Sequence, residues 1–128
     1  MIDWDNLKTA ARSARQNAYA PYSNFKVGAA VFADGLVFTG CNVENSSYPV
    51  GLCAERAALA AAVAAGYRKI EAIVIAAENP IPPCGMCRQA LAEFNSTMPI
   101  IMLGERAEKA SSLDELFPSP FDKSELTK

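Results

Sequence analysis

Three cysteines and one glutamate are the residues of this chain best suited to chemistry. Cys84 and Cys87 lie three residues apart in the segment 83–87 (PCGMC), close enough to bind one metal ion. Cys53 precedes Cys84 by 31 residues, and Glu55 follows Cys53 by two. Three thiolates favour Zn²⁺, and a site with three protein ligands keeps a fourth position open for water. A carboxylate so near a ligand is placed to move the protons of that water.

Other interpretations of these cysteines stay open at this level. A lone C-x-x-C is also typical of a redox pair at a helix N-terminus or of half a structural zinc site. The redox pair would need neither Cys53 nor Glu55, and the structural site would need a fourth Cys or His. The chain has no His. Its remaining cysteine, Cys41, lies in the segment 38–43 (FTGCNV), which is typical of a strand, and a single cysteine there is usually a small buried side chain.

Composition and charge narrow the class of protein. The chain has 128 residues, 51% of them hydrophobic, which predicts a single domain over 1–128. Its net charge is −2 and its basic residues do not cluster, which favours a small substrate over a nucleic acid. No apolar run approaches the roughly 20 residues of a membrane span. The N-terminal segment lacks the pattern of a secretory signal, so the cysteines predict a reducing, cytoplasmic setting.

The elements that must position these residues follow from periodicity and turn chemistry. The order of helices and strands predicts an α/β fold with one mixed β-sheet and helices on both faces. Asp34-Gly35, between two β-rich runs, predicts a hairpin. The predicted helices are 3 to about 17, 53–65, 84–94 and 113–117, and the predicted strands are 25–32, 36–43, 70–77 and 99–103.

Two of the candidate ligands fall where helices are predicted to begin. Cys53 and Cys84 precede the helices 53–65 and 84–94, and free N–H groups and the helix dipole stabilise a thiolate there. Cys87 is one turn further along and points to the same side. Two helix N-termini that face each other would therefore hold three thiolates around one metal.

Longer motifs resemble a known family. The segments 19–30 (YAPYSNFKVGAA), 40–48 (GCNVENSSY), 53–56 (CAER) and 83–89 (PCGMCRQ) are similar, in order, to the small zinc-dependent cytidine deaminases of the homotetrameric type. The terminal LFPSPF resembles the end of that family's chains. One departure is the loop before Pro83, which is short for the family.

The resemblance implies one Zn²⁺ per chain, held by Cys53, Cys84 and Cys87. It implies hydrolysis of cytidine and deoxycytidine to uridine and deoxyuridine, with loss of ammonia, as in pyrimidine salvage. Glu55 would carry protons from the activated water to the pyrimidine and to the leaving amino group. The implied partner is a small-molecule nucleoside, bound in a homotetramer whose subunits share active sites. The implied substrate contacts are Phe25, Asn42, Glu44, Tyr48, Ala54 and Phe121.

Several of these roles also have plainer interpretations. By the resemblance, Asn42 and Glu44 bind the ribose hydroxyls and Phe25 lies against the base. By residue type, Phe25 is equally a core residue, and Asn42 and Glu44 are equally turn residues. Tyr48 and Phe121 are expected to reach across a subunit interface.

Three thiolates carry one negative charge more than Zn²⁺ neutralises, so donors near the sulfurs must withdraw charge. The resemblance implies Arg56 for this, with Gln89 assisting. An ordinary solvated helix position is the alternative, and it applies equally to Arg88.

Two further functions stay open. A deaminase of the same fold can act on blasticidin S, although the nucleoside motifs favour cytidine. A non-catalytic zinc or redox module is the third possibility, and Glu55 beside an open metal position speaks against it.

Overall fold

The computed structural model describes residues 1–127, and its centre is a five-stranded mixed sheet with the strand order β2-β1-β3-β4-β5. The helices are α1 (Trp4–Arg15), α2 (Ala54–Ala64), α3 (Gly85–Ala92) and α4 (Leu113–Leu116), and the strands are β1 (Gly28–Ala33), β2 (Leu36–Cys41), β3 (Ile70–Ala76), β4 (Pro99–Leu103) and β5 (Glu108–Ser112). Short 3₁₀ turns occur at Tyr48–Val50 and Lys123–Glu125.

Strand pairing confirms the mixed sheet. β1 pairs antiparallel with β2 on one side and with β3 on the other, β3 and β4 run parallel, and β5 pairs antiparallel with β4. The predicted hairpin joins β1 to β2 through Asp34 and Gly35, whose φ angles are 52° and 78°. Two consecutive left-handed residues give the turn whose twist suits adjacent strands, and Gly35 adopts that conformation without a steric penalty.

Helices cover both faces of the sheet, as predicted. On one face, Leu7 and Ala11 of α1 pack against Phe32 and Val74. The opposite face is covered by α2 and α3 over a larger cluster of buried residues that includes Ile73. Strand β3 is apolar at every position except Glu71, because its other residues face a helix-covered layer on either side. Within residues 1–127, no helix is both long enough and apolar enough to cross a membrane.

A glycine allows α2 to lie very close to β2. A Cβ atom built on Gly40 would lie 2.4 Å from the backbone nitrogen of Ala58 and 2.7 Å from the carbonyl oxygen of Ala54. No side chain fits in that space, so Gly40 brings the first turn of α2 directly against the strand. This contact sets the position of the N-terminal end of α2, where Cys53 and Glu55 lie.

Several element ends differ from the prediction by a few residues, and the strand predicted over 25–32 begins only at Gly28. Two further corrections concern β5 and α2. Strand β5 was not predicted, because its sequence is polar and it lies at the sheet edge with little apolar pattern. The segment 53–65 is apolar nearly all round, a pattern that predicts a buried helix. Only one side is buried, and Ala60 and Ala64 face outward.

Candidate metal centre and active site

The three predicted ligands meet in the folded chain. The sulfur atoms of Cys53, Cys84 and Cys87 all lie within 4.8 Å of one another, and those of Cys53 and Cys84 are 3.8 Å apart. Cys87 is buried, Cys53 is half-buried and Cys84 is exposed. The cluster therefore opens to the surface on the Cys84 side, where a small molecule can reach it.

Two helix N-termini build the cluster. Cys53 is the N-cap of α2 and Cys84 is the N-cap of α3, both with extended backbone. Their carbonyl oxygens accept the first helical hydrogen bonds, from the N–H of Ala57 at 3.1 Å and of Arg88 at 2.9 Å. Each side chain thus lies at the positive end of a helix dipole, which stabilises a thiolate or a metal–thiolate bond.

The geometry of the sulfurs suits zinc. A tetrahedral zinc site has Zn–S bonds of about 2.3 Å, which places neighbouring sulfurs about 3.8 Å apart. The distance between the sulfurs of Cys53 and Cys84 matches this value. Within residues 1–127, the group that could hold a metal comprises three cysteines and no fourth His, Asp, Glu or Cys. A zinc ion held by these sulfurs keeps one coordination position for a non-protein ligand.

Hydrogen bonding shifts the pKa values of Cys53 and Cys87 in opposite directions. The bond with Cys87 lowers the pKa of Cys53 to about 5, and the nearby Arg56 guanidinium acts in the same direction. The same bond, together with burial, raises the pKa of Cys87. The Cys87 proton must leave when a metal binds, so affinity for metal falls as pH falls.

Glu55 lies in the first turn of α2 and is the one charged side chain among the buried residues described, with 4% of its surface exposed. Burial raises the pKa of its carboxyl, and the charge of Cys53 adds to that effect. A buried carboxyl with a raised pKa beside a metal site is the type of group that can accept a proton and return it during a reaction.

The two arginines near the cluster differ in their partners. The pKa of Arg56 is raised chiefly by its hydrogen bond with Cys53. Its Nε is buried and has no hydrogen-bond partner among the described residues. By contrast, Arg88 donates from Nε to the carbonyl oxygen of Pro83 at 2.8 Å and from Nη1 to that of Leu116 at 3.1 Å. The solvated alternative is therefore wrong for Arg88, which joins two backbone segments.

Gln89 makes a different contact from the one implied by the resemblance. Its Nε2 donates to the carbonyl oxygen of Phe121 at 2.7 Å. Assistance to the sulfurs was expected, and the described hydrogen bonds include none from Gln89 to a cysteine. The side chain instead binds the segment after α4.

Asn42 and Glu44 are both held by the loop that follows α1. Asn42 donates from Nδ2 to the carbonyl oxygen of Phe25 at 2.7 Å and accepts at Oδ1 from the N–H of Val27 at 2.9 Å. Glu44 accepts from the backbone N–H of Tyr22 at 3.0 Å and of Ser23 at 3.1 Å, and from the Ser23 hydroxyl. The hydroxyl lowers the pKa of Glu44, so its carboxylate is ionised at neutral pH.

Two residues that contact Glu44 are not among the site residues predicted from the sequence. Tyr22 and Ser23 were not identified as site residues, although they lie inside the YAPYSNF motif. They line a groove of about 310 Å³ with Glu44, Asn45, Tyr48 and Gly51. The rings of Tyr22 and Tyr48 are 6.0 Å apart. The sequence feature that could have identified them is the Pro-Tyr-Ser-Asn turn, because the backbone N–H groups of such a turn can bind a carboxylate.

The predicted substrate contacts lie mostly on the surface. Phe25 is 49% exposed, which rules out the interpretation of a core residue, while Tyr48 and Phe121 are 77% and 60% exposed. Ala54 is fully buried at the start of α2. Their contacts with a nucleoside stay predictions.

Comparison with known proteins decides the family. Residues 2–103 match the family model described as the cytidine and deoxycytidylate deaminase zinc-binding region. The chain belongs to this deaminase family. It is 41% identical to the cytidine deaminase of Sporosarcina psychrophila over 98% of this chain and 96% of the relative.

Solved structures agree with this assignment. The crystal structure of cytidine deaminase from Burkholderia pseudomallei is 47% identical, with a TM-score of 0.88 over 94% of this chain and all of that one. That from Mycobacterium leprae is 39% identical, with a TM-score of 0.81 over 93% of this chain and all of that one. The sheet with helices on both faces is thus the deaminase fold. The family's zinc and the cluster of three sulfurs together indicate one zinc per chain.

Proposed function

We propose that this chain is a zinc-dependent cytidine deaminase, which hydrolyses cytidine and deoxycytidine to uridine and deoxyuridine and releases ammonia, as in pyrimidine salvage. The observation that carries the proposal is the cluster of Cys53, Cys84 and Cys87 with the buried Glu55 beside it. A redox pair would use only two of these cysteines and would give the buried carboxyl of Glu55 no role. A structural zinc site would use a fourth protein ligand.

The residues of the chain account for the proton transfers. Cys53, Cys84 and Cys87 would hold a zinc ion, which would supply a Lewis acid that lowers the pKa of water. Glu55 accepts the proton of that water and donates it to N3 of the pyrimidine, which makes C4 electrophilic. The oxygen of the water adds to C4. Glu55 then transfers the second proton to the amino group, the C4–N bond breaks, and ammonia leaves. One water and one cytidine thus become one uridine and one ammonia.

Arg56 supports this chemistry through charge. Three thiolates would leave a bound zinc with excess negative charge and make it a weaker Lewis acid. The guanidinium beside Cys53 and Cys87 withdraws charge from the sulfurs. The unpartnered Nε of Arg56 is consistent with a hydrogen bond to a sulfur of the metal-bound site.

The ribose and base contacts form the second part of the proposal. Glu44 is ionised and pre-positioned by Tyr22 and Ser23, so its carboxylate can accept from the ribose hydroxyls. Asn42 keeps one amide N–H and one lone pair beyond its two backbone contacts. It therefore can bind a hydroxyl and hold Phe25 at the same time. The exposed ring of Phe25 would lie against the pyrimidine.

A homotetramer with shared pockets accounts for the exposed aromatic residues. Tyr48 and Phe121 are largely uncovered in a single chain. The groove beside Glu44 is lined by two exposed tyrosines, Tyr22 and Tyr48, which a neighbouring subunit would cover. Side chains of neighbouring subunits would complete it. We further propose that 1–128 is one domain and that the enzyme is cytoplasmic, because thiol ligands need a reducing compartment.

Incubation of the purified protein with cytidine tests the proposal. Loss of absorbance together with ammonia release, in a sample that carries one zinc per chain, is the expected result. Free cytosine and blasticidin S are the comparison substrates. Turnover of blasticidin S without turnover of cytidine would assign the site to the other substrate, and a zinc-loaded protein inactive on all three would reject the enzyme. Light scattering on the same sample measures the mass, and a fully active monomer would exclude shared pockets.

A further inference from the structure

The segment after α4 presents an aromatic ring that its own chain does not cover. Phe121 is 60% exposed. Pro118 and Pro120 precede it, and each proline restricts φ and the conformation of the residue before it. Residues 118–121 therefore form a stiff connection. A stiff segment that ends in an uncovered ring is suited to placing that ring against another molecule.

Gln89 holds the far end of this segment. Its Nε2 donates to the carbonyl oxygen of Phe121 at 2.7 Å, across 32 residues of sequence. The contact is with the backbone of Phe121, so it defines the point from which the ring projects and leaves the ring itself free.

Arg88 holds the near end. Its Nη1 donates to the carbonyl oxygen of Leu116, and its Nε donates to that of Pro83, directly before Cys84. Leu116 also packs against the buried cluster under α2 and α3. Two consecutive residues of α3 thus hold the segment at both ends, on the helix that carries Cys87.

We propose that Gln89 is a positioning residue that fixes Phe121 for its contact with the nucleoside. The inference rests on the proposed function, in which Phe121 forms part of a pocket. Gln89 then acts on substrate binding through Phe121, and it does not act on the charge of the sulfurs. Arg88 anchors the start of the same segment. The structural reason is the pair of hydrogen bonds from α3 to the carbonyl oxygens of Leu116 and Phe121.

A double-mutant cycle tests this inference on the zinc-loaded enzyme. Gln89→Leu should raise KM for cytidine by about 2- to 10-fold, the range that a single neutral hydrogen bond supports. Its kcat and zinc content should stay at the wild-type values. Phe121→Ala should raise KM at least as much. The double variant should match Phe121→Ala alone, because Gln89 has no other route to the substrate.

Other results of the cycle would overturn the inference. These are a loss of zinc or of kcat in Gln89→Leu, an effect of Gln89→Leu that persists in full in the Phe121→Ala background, and a Phe121→Ala variant with wild-type KM. The wild-type assay is read first, so failure of the proposed function, seen as no turnover of cytidine, is distinguished from failure of this inference.

Proteolysis gives a measurement that does not depend on activity. Trypsin should cleave after Lys123 several-fold faster in Gln89→Leu than in wild type, because the segment loses its hydrogen bond to α3. Gln16→Leu, a matched change at the exposed glutamine directly after α1, should leave both the cleavage rate and KM unchanged. Equal cleavage in all three proteins would show that Gln89 does not hold the segment.

Discussion

The sulfur atoms of Cys53 and Cys84 lie 3.8 Å apart, although 31 residues separate them along the chain. Each belongs to the N-terminus of a different helix, so a metal bound between them joins α2 to α3. Binding of the metal is therefore coupled to the packing of both helices on the sheet.

Removal of zinc should destabilise the fold. At free zinc of 100 times Kd, binding to the folded state alone contributes about 2.7 kcal/mol. For a chain of this length, chelation should lower Tm by roughly 10 °C. Calorimetry with and without a chelator measures the shift.

Serine substitutions of single cysteines test which sulfurs bind the zinc. Cys53→Ser, Cys84→Ser and Cys87→Ser should each lose zinc, whereas Cys41→Ser should keep one zinc per chain. Elemental analysis reads the difference, and stoichiometric zinc in all four variants would contradict the three-sulfur site.

Glu55→Gln should keep zinc and lose turnover. A single carboxyl carries every proton transfer in the proposed reaction, and general acid–base catalysis is worth about 10²- to 10⁴-fold. We expect kcat to fall by at least this factor. The control is Glu93→Gln, an exposed glutamate beyond α3, which should leave kcat unchanged. Near-normal turnover in zinc-loaded Glu55→Gln would assign the proton transfers to another group.

Asn42→Ala should weaken both the fold and the use of nucleosides. Its side chain makes two hydrogen bonds that hold Phe25 and Val27, so its loss should lower the free energy of unfolding by about 1–3 kcal/mol. KM for cytidine should rise while zinc content stays constant. Asn17→Ala, at an exposed position, should change stability by less than about 0.5 kcal/mol. A stable Asn42→Ala with wild-type KM would leave Asn42 as an ordinary turn residue.

The affinity for nucleosides should depend on the ionisation of Glu44. The Ser23 hydroxyl holds the pKa of Glu44 below its ordinary value of 4.5. The carboxylate is the form that accepts from the ribose. On acidification, KM should therefore begin to rise at a lower pH than an ordinary glutamate would give. In Ser23→Ala the pKa returns upward, so the rise in KM should begin at a higher pH.

The matching measurement is kcat across the same pH range. Loss of zinc lowers kcat in both proteins alike, whereas protonation of Glu44 raises KM and is moved by Ser23→Ala. Overlapping KM–pH curves for the two proteins would remove Glu44 from the ribose contacts.

Arg56→Ala and Arg88→Ala should fail in different ways. Without the Arg56 guanidinium the pKa of Cys53 rises, so protons compete better with zinc and zinc loss on acidification begins at a higher pH. Arg88→Ala removes two charged hydrogen bonds to carbonyl oxygens, so it should lower the free energy of unfolding by roughly 2–4 kcal/mol and keep wild-type zinc retention.

Titration of bound zinc against pH and chemical unfolding separate the two effects. If Arg56→Ala matches wild type in zinc content at every pH, charge compensation at the sulfurs is refuted.

Local patterns in the sequence determined much of the architecture. The Asp34-Gly35 turn, the apolar run of β3 and the helix starts at Cys53 and Cys84 are short-range features, since periodicity and turn chemistry act over a few residues. They predicted the mixed sheet and the two helix N-termini that carry the ligands. The sequence pattern does not predict strand β5, because an edge strand needs little apolar pattern. This strand forms through its pairing with β4.

The partners of individual side chains were decided by the tertiary structure. The residue type of Arg88 suggests a solvated charge, and the family resemblance implies that Gln89 assists at the sulfurs. Folding brings the carbonyl oxygens of Leu116 and Phe121, 28 and 32 residues away, within reach of these two side chains. Residue types and spacing were thus enough to identify the three cysteines as candidate zinc ligands and to propose Glu55 for proton transfer. Which donor meets which acceptor depended on long-range packing, because backbone carbonyl groups are identical at every position and leave no mark in the sequence.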